Sequence, residues 1–300
     1  MKSGVVILAG PTASGKTDVA IALAQELDGE IVGADSRQIY RGMPIGTAAP
    51  TDEQLRSVRH HLVGFLDPRE RYSAAVFVRD ALAAIGDITA RGKRAIVAGG
   101  TGFYIRALAG DVALAGARDE ILRARFAREA LIHPPEVMHA WLAAIDAARA
   151  AALDPADRYR VARALEVALA ARSEAGPPDV ERRSLRSEQI PYVKLYLDVP
   201  IAVLEPRIEA RVDRMLAQGL LEEAERLGDH AVAADAVGYP QANAYLRGHA
   251  TRKELRVHLV RATRRYAKRQ ETWFRSEPDV ERVRPEHARE FVLARMKAWS

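Results

Sequence analysis

Short apolar runs and amphipathic segments alternate along the first hundred residues of the chain. Val5-Val6-Ile7-Leu8-Ala9 is an unbroken apolar run that ends at Gly10-Pro11, which predicts a buried strand. In residues 15–27, apolar positions such as Ala20 and Leu23 recur at helical spacing and predict a helix. A strand followed directly by a helix is typical of the start of an α/β fold.

The same alternation continues further along the chain. Residues 30–34 and 95–98 predict two more strands, and residues 195–199 predict a later one. Between them, Ser73 is a suitable N-cap for a helix that runs to Gly92. Strands and helices in this order predict a parallel sheet flanked by helices, with right-handed crossovers.

The middle of the chain has a different pattern. Residues 111–186 contain no strand-like run and are rich in Ala and Arg. Asp154-Pro155 predicts a helix start and Gly176-Pro177-Pro178 a helix end. We therefore expect a core of residues 1–110 and 187–300 with an all-helical insertion of residues 111–186. From residue 200 the core pattern is mostly helical, with a break at Gly238-Tyr239-Pro240.

Composition is that of an ordinary globular protein, with 48% apolar and 28% charged residues. No apolar run is long enough for a transmembrane helix, and the short N-terminal run predicts a strand rather than a signal peptide. The chain has no cysteine, which excludes disulfides, thiolate metal sites and a cysteine nucleophile. We expect a cytoplasmic protein, and no pattern indicates an obligate protein partner.

A phosphate-binding loop follows the first predicted strand and matches the pattern G-x-x-x-x-G-K-[ST]. The glycines let backbone N–H groups point at an anion, at the N-terminus of the next helix. The Lys16 ammonium can reach a terminal phosphate, and the Thr17 hydroxyl can hold Mg²⁺. The loop therefore predicts a bound phosphate, of a nucleotide or of another compound. Its residues are Gly10, Pro11, Thr12, Ala13, Ser14, Gly15, Lys16 and Thr17.

Polar residues follow the other two early strands, at the edge where parallel sheets bind ligands. Asp35-Ser36-Arg37-Gln38 follows the second strand, and Thr101 follows the third, between glycines. Asp35 fits a general base, a Mg²⁺ ligand or a helix cap. Gln38 fits either a reader of a base edge or a solvated side chain, and Thr101 either a ligand contact or a tight turn. His60-His61 is interpreted as structural, since adjacent side chains point apart and no third ligand is near.

Charge adds one further candidate, a basic helix over residues 252–275. The chain has 45 Lys and Arg against 40 Asp and Glu, an excess that only weakly indicates nucleic acid, and the number of Arg favours codon bias over phosphate contacts. In 252–275, however, nine basic residues face two Glu, and Arg261, Arg264 and Arg265 lie off the apolar stripe. We favour a nucleic-acid contact over a merely solvated face.

Together these motifs resemble the tRNA dimethylallyltransferases, also called tRNA isopentenyltransferases. The resemblance covers nearly the whole chain, and so many ordered motifs are highly specific. The matching segments are Gly10–Thr17, Ala34–Tyr40, Ile45–Ala48, His60–Leu62, Gly99–Tyr104, Arg160, Arg163–Val167, Val237–Tyr239 and Lys268–Arg275. The resemblance implies a P-loop NTPase-like core and a helical insertion that grips the anticodon stem-loop of tRNA.

The resemblance also implies a reaction. A dimethylallyl group would pass from dimethylallyl diphosphate to the exocyclic amine of the adenosine immediately 3′ of the anticodon. The phosphate loop would hold the diphosphate, Asp35 would be the base, and Thr101 would contact the target nucleotide. The segment 235–240 would also contact tRNA. The implied tRNA contacts are Asp35, Ser36, Arg37, Gln38, Thr101, Arg123, Tyr159, Arg160, Val161, Ala162, Arg163, Lys268, Arg269, Gln270, Glu271, Thr272, Trp273, Phe274 and Arg275.

Some positions depart from the family pattern. Ala49 stands where a Lys is usual, Arg59 where a Pro is usual, and residues 153–159 lack the usual His and Asn. These changes concern local tRNA contacts, whereas the phosphate loop, Asp35 and Thr101 are intact. Two other functions use the same motifs: a small-molecule or nucleoside kinase with an arginine lid, and a non-catalytic RNA-binding protein. Intact Lys16 and Thr17, with Asp35 nearby, argue against the second.

Overall fold

A computed structural model describes residues 4–112, 114, 120–170, 183–228 and 231–297. The chain divides into two compact units, a core of residues 1–112 and 183–300 and a second unit of residues 113–182. The second unit is slightly shorter than the predicted insertion, since residues 111–112 and 183–186 belong to the core unit. Arg186 and Asp111 pair with each other there, with 2.5 Å between Nη2 and Oδ1. The predicted break at 176–178 lies outside the described residues.

The core is built on a six-stranded, all-parallel sheet in the order β3-β2-β4-β1-β5-β6. This confirms the predicted fold class. Strands β1, β2, β4 and β5 are buried nearly throughout, as expected for a sheet covered on both faces. The strands are β1 (Val5–Ala9), β2 (Gly29–Gly33), β3 (His60–His61), β4 (Arg94–Ala98), β5 (Tyr192–Leu197) and β6 (Val280–Val283).

Helices cover the sheet on both faces. On one face, α1 and α14 pack against the central strands through Leu23 and Val292. A second apolar cluster joins α10, α11, α12 and α13 to residues 39–48. The core helices are α1 (Lys16–Glu26), α2 (Pro44–Thr47), α3 (Asp52–Ser57), α4 (Ala74–Ala90), α5 (Gly102–Ala109), α10 (Ile201–Ala217), α11 (Leu220–Leu227), α12 (Tyr239–Leu246), α13 (Arg252–Arg275) and α14 (Ala288–Met296).

Several helix ends follow from the sequence. Ser73 caps α4, since its side chain accepts a hydrogen bond from Val76 N at 3.2 Å. Thr251 and Glu254 form a reciprocal capping box at the start of α13, which fixes where the basic helix begins. Pro240 lies in the first turn of α12, so the break predicted at 238–240 is a helix start.

In the described part of the second unit, the regular secondary structure is entirely helical. Its helices pack around Met138, Leu142, Val161 and Leu165. The predicted helix start at Asp154-Pro155 is wrong by three residues. Asp154 accepts a hydrogen bond from Ala156 N at 2.9 Å and so forms a local turn, and α9 begins at Arg158. The helices are α6 (Glu120–Ile132), α7 (Pro135–Ile145), α8 (Ala147–Ala151) and α9 (Arg158–Ala170).

Among the described residues of both units, no helix combines the length and the apolar character needed to cross a bilayer.

Candidate active site

The carboxyl ends of β1, β2 and β4 meet at one edge of the sheet, and a cavity of about 1420 Å³ opens there. The chain leaves β1 toward β2 on one side of the sheet and leaves β4 toward β5 on the other side. This reversal is where open parallel sheets bind ligands. Six Lys or Arg side chains line the cavity against four carboxylates, so it favours an anion.

The phosphate loop forms one wall of the cavity through Thr12–Thr17. Gly15 has a φ of 86° and precedes the first residue of α1, so it turns the chain into the helix in a conformation that only glycine adopts readily. The first N–H groups of α1 have no partner within the helix, and the residues that carry them line the cavity. This is the anion-binding arrangement that the motif predicts.

Lys16 lies inside this cavity, where its ammonium donates a hydrogen bond to Pro11 O at 2.7 Å. Burial lowers the pKa of Lys16 to about 8, with Asp35 opposing the decrease and Arg211 adding to it. Lys16 is therefore close enough to both Arg211 and Asp35 for their charges to affect its protonation. An anion bound there would stabilise the charged form of Lys16.

Two buried polar atoms in this cavity have no hydrogen-bond partner among the described residues. They are Ser14 Oγ, in the phosphate loop, and Nε of Arg211, on α10. Arg211 holds its position with Nη2, which donates to Thr47 O at 3.4 Å. Buried polar groups are almost always satisfied, so both atoms fit contacts with a bound ligand.

Asp35 and Thr101 organise the two neighbouring loops. The Asp35 carboxylate accepts a hydrogen bond from Arg37 N at 2.9 Å, and Asp35 lines the cavity. Thr101 Oγ1 accepts one from Ser36 N at 2.9 Å, so the loop after β4 holds the loop after β2. Gln38 donates its side-chain amide to Ala48 O at 3.0 Å, which makes it a support of the cavity wall in this structure.

A short wall of the cavity, residues 44–50, is held by a buried carboxylate. Glu223 on α11 is fully buried and accepts hydrogen bonds from Ile45 N at 3.0 Å, Gly46 N at 2.7 Å and the Tyr239 hydroxyl at 2.8 Å. Burial and the adjacent Glu223 carboxylate raise the pKa of Tyr239. Tyr239 has no exposed surface, which corrects the expectation that this residue of segment 235–240 contacts tRNA.

Sequence reasoning missed three residues of this site. Arg211 is one of many arginines, and nothing local distinguishes it. Tyr266 falls on the apolar stripe of α13 by its sequence position, which predicts packing alone. It lines the cavity, where burial and then the Asp35 charge raise its pKa. Glu223 had a usable signal, because it occupies a core position of an amphipathic helix.

The predicted segment Lys268–Arg275 divides into an outward and an inward part. Lys268, Arg269, Thr272 and Arg275 are exposed. The others face the protein, and Phe274 is buried at 1% exposure, which corrects its prediction as a tRNA contact.

The inward residues of this segment each have a partner in the core. Gln270 accepts a hydrogen bond from Thr12 N and donates one to Gly100 O. Glu271 pairs with Arg282 at 2.7 Å and accepts from the Tyr196 hydroxyl. Trp273 is half-buried, and the Arg106 guanidinium lies 4.4 Å from its ring centroid.

The outward face of α13 is a stripe of exposed residues at spacings of three and four, namely Arg261, Arg265, Lys268, Thr272 and Arg275. We call it the basic stripe. Arg264 lies beside it but pairs with Glu209 of α10 at 2.7 Å. The expectation of a nucleic-acid contact from the few Glu residues in 252–275 therefore does not hold for Arg264. Its partner comes from another helix.

The predicted tRNA contacts of the second unit lie on α6 and α9. Tyr159 and Arg160 are exposed, and Arg160 pairs with Asp157 at 3.1 Å. Arg123 is half-buried, as are Ala162 and Arg163. Val161 is buried at 1% exposure in the unit's own core, which corrects its prediction as a direct contact.

His60 and His61 both make structural contacts. His61 Nε2 lies 2.7 Å from Glu30 Oε2, and His60 Nδ1 lies 2.8 Å from Val58 O. No group of three or more His, Cys, Asp or Glu with metal-binding geometry occurs within the described ranges.

Comparisons with known proteins agree on one family. A family model described as IPP transferase matches residues 38–277. A tRNA dimethylallyltransferase of Anaeromyxobacter dehalogenans (strain 2CP-C) is 45% identical over 298 residues, covering 98% of this chain and 99% of that protein. The full-length tRNA isopentenylpyrophosphate transferase from Bacillus halodurans has a TM-score of 0.71 and 34% identity, covering 99% and 98% of the two chains. A eukaryotic dimethylallyltransferase acting on tRNA has a TM-score of 0.78 and 25% identity, covering 97% and 77%.

Proposed function

Because the chain belongs to the tRNA dimethylallyltransferase family, we propose that its cavity joins a dimethylallyl diphosphate donor to an adenosine of tRNA. The acceptor is the exocyclic amine of the adenosine immediately 3′ of the anticodon. The protein is an enzyme of tRNA modification, a prenyltransferase. One observation carries the assignment of the site: the phosphate loop with Lys16 and Arg211 shares a single cavity with Asp35.

The donor's diphosphate fits the cationic end of the cavity. Backbone N–H groups at the start of α1, the Lys16 ammonium and the Arg211 guanidinium all suit phosphate oxygens. The unpartnered Ser14 hydroxyl and Arg211 Nε supply further donors. Ile45, Met215 and other apolar side chains line the same cavity and suit a short isoprenoid tail.

Asp35 is the proposed general base. The exocyclic amine of adenine is a weak nucleophile, because its lone pair is delocalised into the ring. A carboxylate that takes the amine proton as the bond forms contributes roughly 10²–10⁴-fold. The adenine must leave its stack to reach the carboxylate, as with other enzymes that act on bases.

The reaction balances with these groups alone. The amine nitrogen forms a bond to the allylic carbon, and the bond from that carbon to the diphosphate oxygen breaks with both electrons leaving on oxygen. The amine proton passes to Asp35. Lys16 and Arg211 stabilise the negative charge that develops on the leaving diphosphate.

Mg²⁺ fits the donor set of this cavity. Magnesium sites that serve diphosphates usually supply only one or two protein oxygens, and the phosphates and water complete the octahedron. The Thr17 hydroxyl is the proposed protein ligand, in the part of the loop that lines the cavity. When bound, Mg²⁺ would offset charge on the diphosphate.

Recognition of tRNA is proposed for the exposed members of the predicted set. In the core these are the basic stripe and Arg269, and in the second unit Tyr159 and Arg160. Arg37 is half-buried and pairs with Asp235 at 2.7 Å, so we propose that it contacts tRNA at the rim of the cavity. Arginine suits phosphates because its guanidinium binds two oxygens at once. We propose the cytoplasm, where tRNA is available, as the site of action.

A transfer assay with labelled donor tests the proposal. The wild-type protein, given dimethylallyl diphosphate and unmodified tRNA without ATP, should place label in the RNA. Asp35→Asn keeps the side-chain shape but cannot take a proton, so single-turnover transfer with prebound tRNA should slow by roughly 10²–10⁴-fold.

Three outcomes would contradict parts of the proposal. Transfer that requires ATP would favour a kinase step. A near-wild-type rate for Asp35→Asn, or full rescue of that variant by high Mg²⁺, would remove Asp35 as the base. Absence of label with the wild-type protein would refute the donor assignment.

A further inference from the structure

One buried side-chain amide joins the phosphate loop to the loop after β4. Gln270 Oε1 accepts a hydrogen bond from Thr12 N at 2.8 Å, and its Nε2 donates one to Gly100 O at 3.0 Å. Gln270 is separated from Thr12 by 258 residues and from Gly100 by 170 residues. The two loops follow β1 and β4, which are neighbours in the sheet, and α13 reaches across both.

The fit around this amide is close. Gln270 is only 6% exposed. A Cβ atom added at Gly100 would lie 2.2 Å from Gln270 Nε2 and 3.8 Å from an oxygen of Asp35. The absence of a side chain at Gly100 therefore allows the amide to approach the backbone, directly beside the proposed base.

The contacts continue from this bridge to Asp35. Residue 101, next to Gly100, holds the loop after β2 through the hydrogen bond from Ser36 N to Thr101 Oγ1. Three hydrogen bonds therefore connect the phosphate loop to the loop that carries Asp35: Thr12 to Gln270, Gln270 to Gly100, and Ser36 to Thr101. Peptide bonds complete the path, from Gly100 to Thr101 and from Ser36 to Asp35.

We propose that Gln270 is a positioning residue that fixes the distance between the leaving diphosphate and Asp35. This inference rests on the proposed function, and it replaces the expectation that Gln270 contacts tRNA. Both ends of its amide are engaged inside the protein, and its side chain is not exposed. Group transfer is sensitive to such spacing, because a misplacement of about 1 Å can cost about 100-fold in rate.

Two substitutions remove different parts of the bridge. Gln270→Ala deletes both hydrogen bonds, so the phosphate loop loses its link to Gly100. Single-turnover transfer should fall about 10- to 100-fold, and binding of inorganic diphosphate should weaken about tenfold, while the Kd for tRNA stays within about twofold. A general loss of folding would weaken the binding of both diphosphate and tRNA, so it would not produce this difference.

Gln270→Glu is nearly isosteric and adds a pH signature. As a carboxylate it still accepts from Thr12 N but repels Gly100 O, whereas the protonated acid donates to that carbonyl and restores the bridge. Burial beside Asp35 favours the protonated form. The ratio of its transfer rate to that of the wild type should therefore rise as the pH is lowered, and the same ratio for Gln270→Ala should stay constant.

Gln241→Ala is the matched control. Gln241 also accepts a backbone hydrogen bond, from Gly238 N at 2.9 Å, but it lies on α12 and does not line the cavity. The Gln241→Ala substitution should reduce Tm without changing prenyl transfer, diphosphate binding or tRNA binding.

The readouts separate the inference from the proposed function. If the wild type binds inorganic diphosphate but transfers no prenyl group, the proposed function fails, and diphosphate binding still tests Gln270. A loss of tRNA affinity in Gln270→Ala that matches its loss of activity would make Gln270 an RNA contact and overturn the inference. Wild-type diphosphate binding in Gln270→Ala, or a Gln270→Glu ratio that does not vary with pH, would also overturn it.

Discussion

The basic stripe on α13 should account for a measurable part of the salt dependence of tRNA binding. Arg261, Arg265 and Lys268 are exposed and make no ion pair with the described residues. By contrast, Arg256 pairs with Asp213 at 2.7 Å and Arg264 with Glu209 at 2.7 Å. Replacing the first three by Gln removes cations that are available to phosphates.

The size of the effect follows from counterion release. Each phosphate contact contributes roughly 0.7 to 0.9 to the slope of log K against log salt. Loss of three contacts should reduce the slope by about 2–3 units. Between 50 and 200 mM salt, the wild type should then lose roughly 16- to 64-fold more affinity than the triple variant.

Filter binding of unmodified tRNA across salt concentrations measures both slopes. The control is Arg256→Gln with Arg264→Gln, which removes two cations that already have carboxylate partners. Surface pairs of this kind contribute about 0–1 kcal/mol to stability, so the control should fold. Its slope should change by less than about 1 unit. Equal slopes for the triple variant and the wild type would show that the stripe is only solvated, and similar decreases in both variants would indicate a diffuse charge effect.

Two further predictions concern the donor side of the cavity. The kcat/KM for the donor should fall as pH rises through about 8, since Lys16 loses its charge there. Lys16→Arg should remove this alkaline limb, and Lys16→Ala should lower turnover by orders of magnitude with unchanged tRNA binding; a limb that persists in Lys16→Arg would contradict the assignment. Glu223→Gln should reduce the free energy of unfolding in urea by about 1–3 kcal/mol, because one of three buried donors then faces an amide N–H. An unchanged unfolding midpoint would argue against that role.

The central fold could be predicted from the sequence because its strands are apolar runs with clear ends. β1, β2, β4 and β5 are buried on both faces, so their sequences carry a strong signal. β3 consists of His60 and His61 alone, and β6 reads Val-Glu-Arg-Val at the sheet edge. Neither β3 nor β6 has a sequence pattern that differs from that of a loop. They are strands because they pair with a neighbouring strand, and not because they are buried.

The candidate site was predictable where the chain itself brings residues together. The phosphate loop and Asp35 follow strands directly, so their meeting depends only on a parallel sheet. Arg211 comes from α10, and its approach to Lys16 depends on how helices pack on the finished sheet. The burial of Gln270 has a signal in the sequence, because Gln270 lies at helical spacing from Ala267 and Phe274, which are both buried.

The strand order also determines when each edge of β1 can be paired during translation. β1 pairs with β4 on one side and β5 on the other, so its second edge is completed only when β5 leaves the ribosome. About 90 residues separate the end of β4 from the start of β5, which take about 5–20 s to translate. For that interval the nascent core presents an apolar edge that can pair with other chains. The helical insertion thus prolongs the interval in which the edge of β1 is unpaired and the nascent chain depends most on chaperones.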